Sequence, residues 1–137
     1  MSEGGGGRSS VIPPSYDRSM SQRRRWRFYT TPAGRCPVRE FVASPALPRA
    51  DRDEILAALK DVQINGLNVA RHLRGEIYEV RADANRASYR VLFAGEGAQG
   101  QVLLALTAFS KKAQRTPPAE ISLADHRLRD WRSRGRR

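Results

Sequence analysis

Apolar residues recur at two different periods along this chain. Over residues 48–65, Ile55, Leu59 and Val62 (with Leu56) form a stripe at helical spacing. Asp51, Asp53 and Glu54 fill its early turns, where negative charge complements the helix dipole, and Asn65-Gly66 is a stop signal. A shorter helix is predicted over 38–43, with Pro37 suited to its first turn, Val38, Phe41 and Val42 apolar, and Pro45 ending it. From Glu76 the period drops from 3.6 to 2, and residues 77–82, 89–94 and 102–109 read as strands. The links 83–86 and 95–100 are short enough for antiparallel hairpins. With a four-residue loop at 83–86, Ala82 faces Ala87 and Glu79 faces Arg90, a cross-strand ion pair.

Residues 102–106 are almost wholly apolar, which suits a central strand covered on both faces. Upstream, residues 26–30 make an aromatic-rich strand closed by the turn chemistry of Thr31-Pro32-Ala33-Gly34. After Thr116-Pro117-Pro118 an amphipathic helix carries Ile121, Ala124, Leu128 and Trp131 on one side and arginines opposite. The order β-α-α-β-β-β-α predicts an α+β domain over 23–132, with helices packed on a mostly antiparallel sheet of about four strands. Residues 1–22, rich in Gly, Ser, Pro and Arg, cannot bury enough apolar surface to offset ordering entropy and predict a disordered tail, within which Met20 is an alternative start. Residues 133–137 are a basic tail.

Composition narrows the function. The 137 residues carry a net charge of +11, with 22 of the 25 basic residues arginine. Six arginines oppose Glu3 and Asp17 before residue 28, and six oppose Asp130 after residue 125, around a nearly balanced middle. Such ends attract polyanions, although they also serve solubility alone. One cysteine excludes an internal disulfide, and two histidines leave little for a metal, so no metal or other cofactor is expected. No apolar run spans a membrane and no secretory h-region opens the chain, so a cytoplasmic protein is expected. No P-loop, GxGxxG or nucleophile elbow is present, and the glycines of 95–100 lie between strands. Cys36 reads as a turn residue, His72 and His126 as exposed polar positions, Trp26 and Trp131 as packing residues.

What remains is a series of cations near the strands: Arg71, Arg74, Arg81, Arg86, Arg90, Lys111, Lys112 and Arg115, interleaved with Tyr78, Tyr89, Phe93 and Phe109. Cations and aromatic faces together suit a splayed single-stranded RNA. Solvated strand ends and rim packing are the plainer reading for Lys111, Lys112, Tyr78 and Phe109, and Arg74 reads mainly as an anchor for the turn before the sheet.

Leu73-Arg74-Gly75, Ile77-Tyr78-Glu79-Val80-Arg81, Tyr89-Arg90-Val91-Leu92-Phe93 and Phe109-Ser110-Lys111-Lys112-Ala113-Gln114-Arg115-Thr116-Pro117 resemble, in that order, the RelE/HigB-like toxins of type II toxin–antitoxin systems. The upstream Gly34-Arg35-Cys36-Pro37-Val38-Arg39-Glu40-Phe41 resembles their phage-derived HigB-like branch. The resemblance implies a compact antiparallel sheet flanked by helices. It also implies an mRNA endoribonuclease that works on translating ribosomes and is neutralised by a cognate antitoxin, of the HigA-like helix-turn-helix kind, with a chaperone for the antitoxin as a further partner. By motif position, Arg81, Arg90 and Lys112 match the family's site cations and Lys111 is adjacent. Arg71, Arg74, Arg86, Arg115, Tyr78 and Phe109 are the expected RNA contacts. The catalytic tyrosine of RelE has no counterpart, since no tyrosine follows Tyr89, and histidine-based HigB sites are not reproduced either. The same superfamily fold serves ParE-like toxins, which bind DNA gyrase, and a basic RNA- or ribosome-binding module without cleavage is a third reading. Arg127, Arg129 and Arg132 on the last helix are expected to meet an acidic antitoxin segment.

Overall fold

The computed structural model describes residues 24–112 and 115–135; the tail over 1–22, with Met20, and the last two arginines lie outside them. The chain runs β1 (Arg25–Phe28), α1 (Pro37–Ala43), α2 (Arg49–Asn65), a 3-10 turn (Gly66–Val69), β2 (Arg71–Arg74), β3 (Ile77–Asp83), β4 (Ser88–Glu96), β5 (Val102–Lys111) and α3 (Pro118–Ser133). The strands form one sheet in the order β1-β5-β4-β3-β2. All neighbours are antiparallel except β1, which joins β5 in parallel. The α+β architecture expected from the sequence is present, with one strand more than expected. That strand, β2, escapes a periodicity reading: it has four residues, Leu73 is its one apolar member, and it lies at the sheet edge.

Each face of the sheet carries its own helices. Ile55, Leu59 and Val62 of α2, with Val38 of α1, bury against Val80, Ala82, Tyr89, Val91, Phe93, Leu103 and Ala105. Trp26 joins this layer, its indole N–H donating to the Leu59 carbonyl at 2.7 Å. On the opposite face Ala124 and Leu128 of α3 cover Ile77, Leu92, Ala94, Leu104 and Leu106. Burial on both faces explains the continuous apolar run of β5, which lies between β1 and β4.

Ion pairs fix α3 over one end of the sheet only. Arg132 bonds Glu76 and Glu96, which flank β3 and β4 at that end, and Arg127 donates to the Leu106 carbonyl at 2.8 Å. Tyr29 donates its hydroxyl to Asp130 at 2.5 Å. Arg127 and Arg132 are thus engaged within the chain, and Arg129 alone of the three expected to meet an acidic partner is an exposed residue. Among the described residues no helix is long and apolar enough to cross a membrane.

Candidate functional site

The face that α3 covers continues beyond the helix as a basic surface. Its residues are Glu79, Arg81 and Asp83 of β3 and Ser88 and Arg90 of β4, because side chains two apart on a strand share a face. The hairpin is shifted from the expected register. Its last pair is Asp83 with Ser88, its turn covers residues 84–87, and Arg81 faces Arg90 while Glu79 faces Leu92. A shift of one residue in the turn moves cross-strand partners by two, so every side chain keeps its face. Glu79 consequently still reaches Arg90 on the diagonal, its Oε2 lying 3.6 Å from the arginine Nε.

A β-bulge brings Lys111 to the same surface. Leu92 pairs with Thr107 but Phe93 with Ala105, so Leu106 is an extra residue in β5. Beyond it the alternation is inverted, and Thr107, Phe109 and Lys111 fall on the face that Leu104 occupies before it. Without the bulge Lys111 would point towards α1 and α2.

These side chains line an open cleft of about 740 Å³, with Arg71, Glu79, Arg81, Ser88, Arg90, Lys111 and Lys112 on the sheet side and Asn68, Val69 and Ala70 as a lip. Five cations meet one carboxylate there, Glu79, and a second, Asp83, bonds Arg81 and Ser88 beside it. Two arginines directly opposite each other across a strand pair repel, and the carboxylates are arranged to moderate that. Arg81 bonds Asp83 at 2.9 Å, Asp83 accepts the Ser88 hydroxyl at 2.6 Å, and Arg90 donates Nη1 to that same Ser88 oxygen at 2.6 Å and to the Tyr89 carbonyl at 3.0 Å. The Ser88 hydrogen bond, followed by that of Arg81, holds the Asp83 carboxyl below its ordinary value.

The two arginines differ sharply in setting. The Arg81 side chain is 67% exposed and that of Arg90 7%. Burial lowers the Arg90 pKa, with Glu79 acting against it. Burial also lowers that of Lys111, and the charge of Arg90 adds to the effect. Tyr89, on the other face of β4, anchors the strand by donating to buried Asp51 of α2 at 2.5 Å, and that bond together with burial pushes the phenol up to about 12.

Of the ten residues singled out in the sequence, Arg71, Arg81, Arg90, Lys111 and Lys112 are brought together in the cleft, and Phe109 lies on the same face, half-buried towards α3. Arg74 sits at the other end of β2, 3.7 Å from Asp125 of α3. Arg86 is exposed in the β3–β4 turn, and Arg115 is exposed in the segment before α3. Tyr78 lies on the opposite face against His72 and Phe93, with ring centroids 5.0 and 6.0 Å away. Sequence reading missed Asn68, Val69, Ala70 and Ser88 as cleft residues. Ser88 was within reach, since a turn over 84–87 places it opposite Asp83; the others come from a non-adjacent segment.

A helix-flanked sheet with cations gathered at its uncovered end has the build expected of a RelE/HigB-type toxin. Residues 45–129 match the family described as Phage derived protein Gp49-like. The chain is also 31% identical over 125 residues to the "Probable endoribonuclease HigB1" of Mycobacterium tuberculosis, in strains CDC 1551 and H37Rv alike, an alignment covering 88% of this chain and 93% of each relative. The chain therefore belongs to the phage-derived Gp49-like family and is a HigB-like toxin.

Proposed function

We propose that this toxin is an endoribonuclease that cleaves mRNA on the translating ribosome, and that a cognate antitoxin of the HigA-like helix-turn-helix kind restrains it. The observation that carries the reading is the pairing of Arg81 with Arg90 on the end of the sheet face that α3 leaves uncovered, beside Arg71, Lys111 and Lys112. Opposed guanidinium groups in an open cleft are poorly placed for stability and well placed for a phosphodiester. The similarity to the mycobacterial relatives, named as probable endoribonucleases, supports the same chemistry.

In this mechanism the ribose 2′-oxygen attacks the adjacent phosphorus as its proton is taken up. The phosphorane gains negative charge, and the bond to the 5′-oxygen breaks as that oxygen receives a proton. The products are a 2′,3′-cyclic phosphate and a 5′-hydroxyl. Arg81 and Arg90 offer forked N–H donors to the phosphorane oxygens. A guanidinium is a poor proton shuttle because it stays protonated. Lys111 is better suited, since burial and neighbouring Arg90 favour its neutral form. Lys112, exposed at the rim, is assigned to the phosphate backbone. The ribosome shares the task of orienting the message.

Expression without antitoxin is expected to arrest growth, and primer extension on mRNA from those cells to show new 5′ ends in phase with codons. Growth arrest with intact messages and with DNA damage would instead indicate gyrase as the target. Proton transfer through Lys111 has its own signature. The neutral amine takes the proton, so the cleavage rate should rise with pH and level off below the ordinary lysine value of 10.5. Lys111→Arg, permanently charged, should lose that rising limb; a pH–rate profile unchanged in this variant would remove Lys111 from the proton path.

A further inference from the structure

Two groups converge on one oxygen of buried Glu79. The hydroxyl of Thr116, itself buried, donates to Oε2 from the segment between β5 and α3. The Nε of Arg90 faces that same oxygen from 3.6 Å, too far for a hydrogen bond. Arg90 Nε is, among the described residues, the one buried side-chain polar atom without a hydrogen-bond partner. An orphaned N–H of this kind is costly, and it persists here with Thr116 holding the carboxylate oxygen 3.6 Å away.

We propose that Thr116 is a positioning residue for the cleft: its hydrogen bond holds the Glu79 carboxylate short of bonding contact with Arg90, and so keeps that guanidinium from being drawn away from a bound phosphate. The inference rests on the reading of the cleft as an RNA site. Without the hydroxyl, Oε2 becomes a buried carboxylate oxygen whose neighbouring cation is Arg90. A displacement of about 0.8 Å then makes a charge-assisted hydrogen bond of ordinary length. The closed pair satisfies itself and gives up part of its attraction for an anion.

The test is binding of an RNA oligonucleotide carrying a 2′-deoxy sugar at the scissile position, with cleavage of the unmodified oligonucleotide measured alongside. Thr116→Val, close in shape and lacking the hydroxyl, should weaken binding about tenfold, the equivalent of roughly 1.4 kcal/mol. Adding Glu79→Gln, which strands the Arg90 charge and is therefore assayed below the melting temperature measured for that double variant, should restore binding, because an amide carries no charge to close on Arg90. Thr116→Ser, which keeps the hydroxyl, should bind as tightly as the parent chain, and Thr116→Ala repeats the test without risk of overpacking. A packing role for Thr116 would weaken the single and double variants alike. That result, or unchanged binding by both Thr116→Val and Thr116→Ala, overturns the inference while leaving the nuclease reading intact. Failure of the parent chain to cut RNA, both free and as message on translating ribosomes, overturns both.

Discussion

Arg81→Ala is expected to lower RNA cleavage by about 10²–10³-fold, the effect typical of removing one preorganised donor from a developing oxyanion. The same substitution should shift unfolding free energy by no more than about 1 kcal/mol. Arg81 is two-thirds exposed, and its bond to Asp83 is a surface ion pair of the kind that adds little to stability. The combination discriminates well, because a residue that merely braced the hairpin would show the opposite balance. Cleavage kinetics and urea unfolding on the same preparation check it. A variant that folds and still cuts at the parental rate would exclude Arg81 from the reaction.

Arg90→Ala should behave differently although it stands directly opposite. Its side chain and that of Glu79 are both buried, and removing one member of such a pair leaves an uncompensated charge at a cost of about 3–5 kcal/mol. For a domain of this size the melting temperature should fall by at least ~10 °C. Cleavage should be lost as well. Adding Glu79→Gln should recover much of the stability, since no buried charge is then stranded, but none of the activity, since the phosphate donor is still missing. Calorimetry on the single and double variants separates the two contributions. A double variant that regains cleavage would show that Arg90 acts only by neutralising Glu79.

Arg81 and Arg90 thus hold two different roles that their sequence neighbourhoods do not distinguish. Each is an arginine at an alternating position of a strand, and each matches a basic position of the family. Exposure separates them, and exposure follows from what lies above each residue. Thr116, arriving from beyond β5, closes over the Glu79–Arg90 end, whereas nothing among the described residues covers Arg81. The Glu79–Arg90 contact itself was legible in the sequence through a mistaken register. The assumed turn was off by one residue, yet parity preserved the face, so the pair survives as a diagonal rather than a direct neighbour.

Lys111 shows the opposite situation. Strict alternation through β5 places it on the face packed by α1 and α2, and one extra residue at Leu106 reverses that. The run 102–106 is apolar at nearly every position, so it carries no period from which a bulge can be detected. The lip of the cleft was equally hidden. Asn68, Val69 and Ala70 belong to a 3-10 turn and its end, and they approach the site because β2 folds back on β3.

The sequence by itself determined the two helices before the sheet, three of its antiparallel strands, the aromatic strand at its edge, the final helix, and a family resemblance carried by ordered basic motifs. Those features rest on local periodicity, capping and turn chemistry, which adjacent residues encode. The tertiary structure decided that α3 covers only one end of its face, that a bulge turns Lys111 towards Arg90, and that Thr116 joins Arg90 at the carboxylate of Glu79. Each depends on a contact between distant segments, which no local pattern of neighbouring residues encodes.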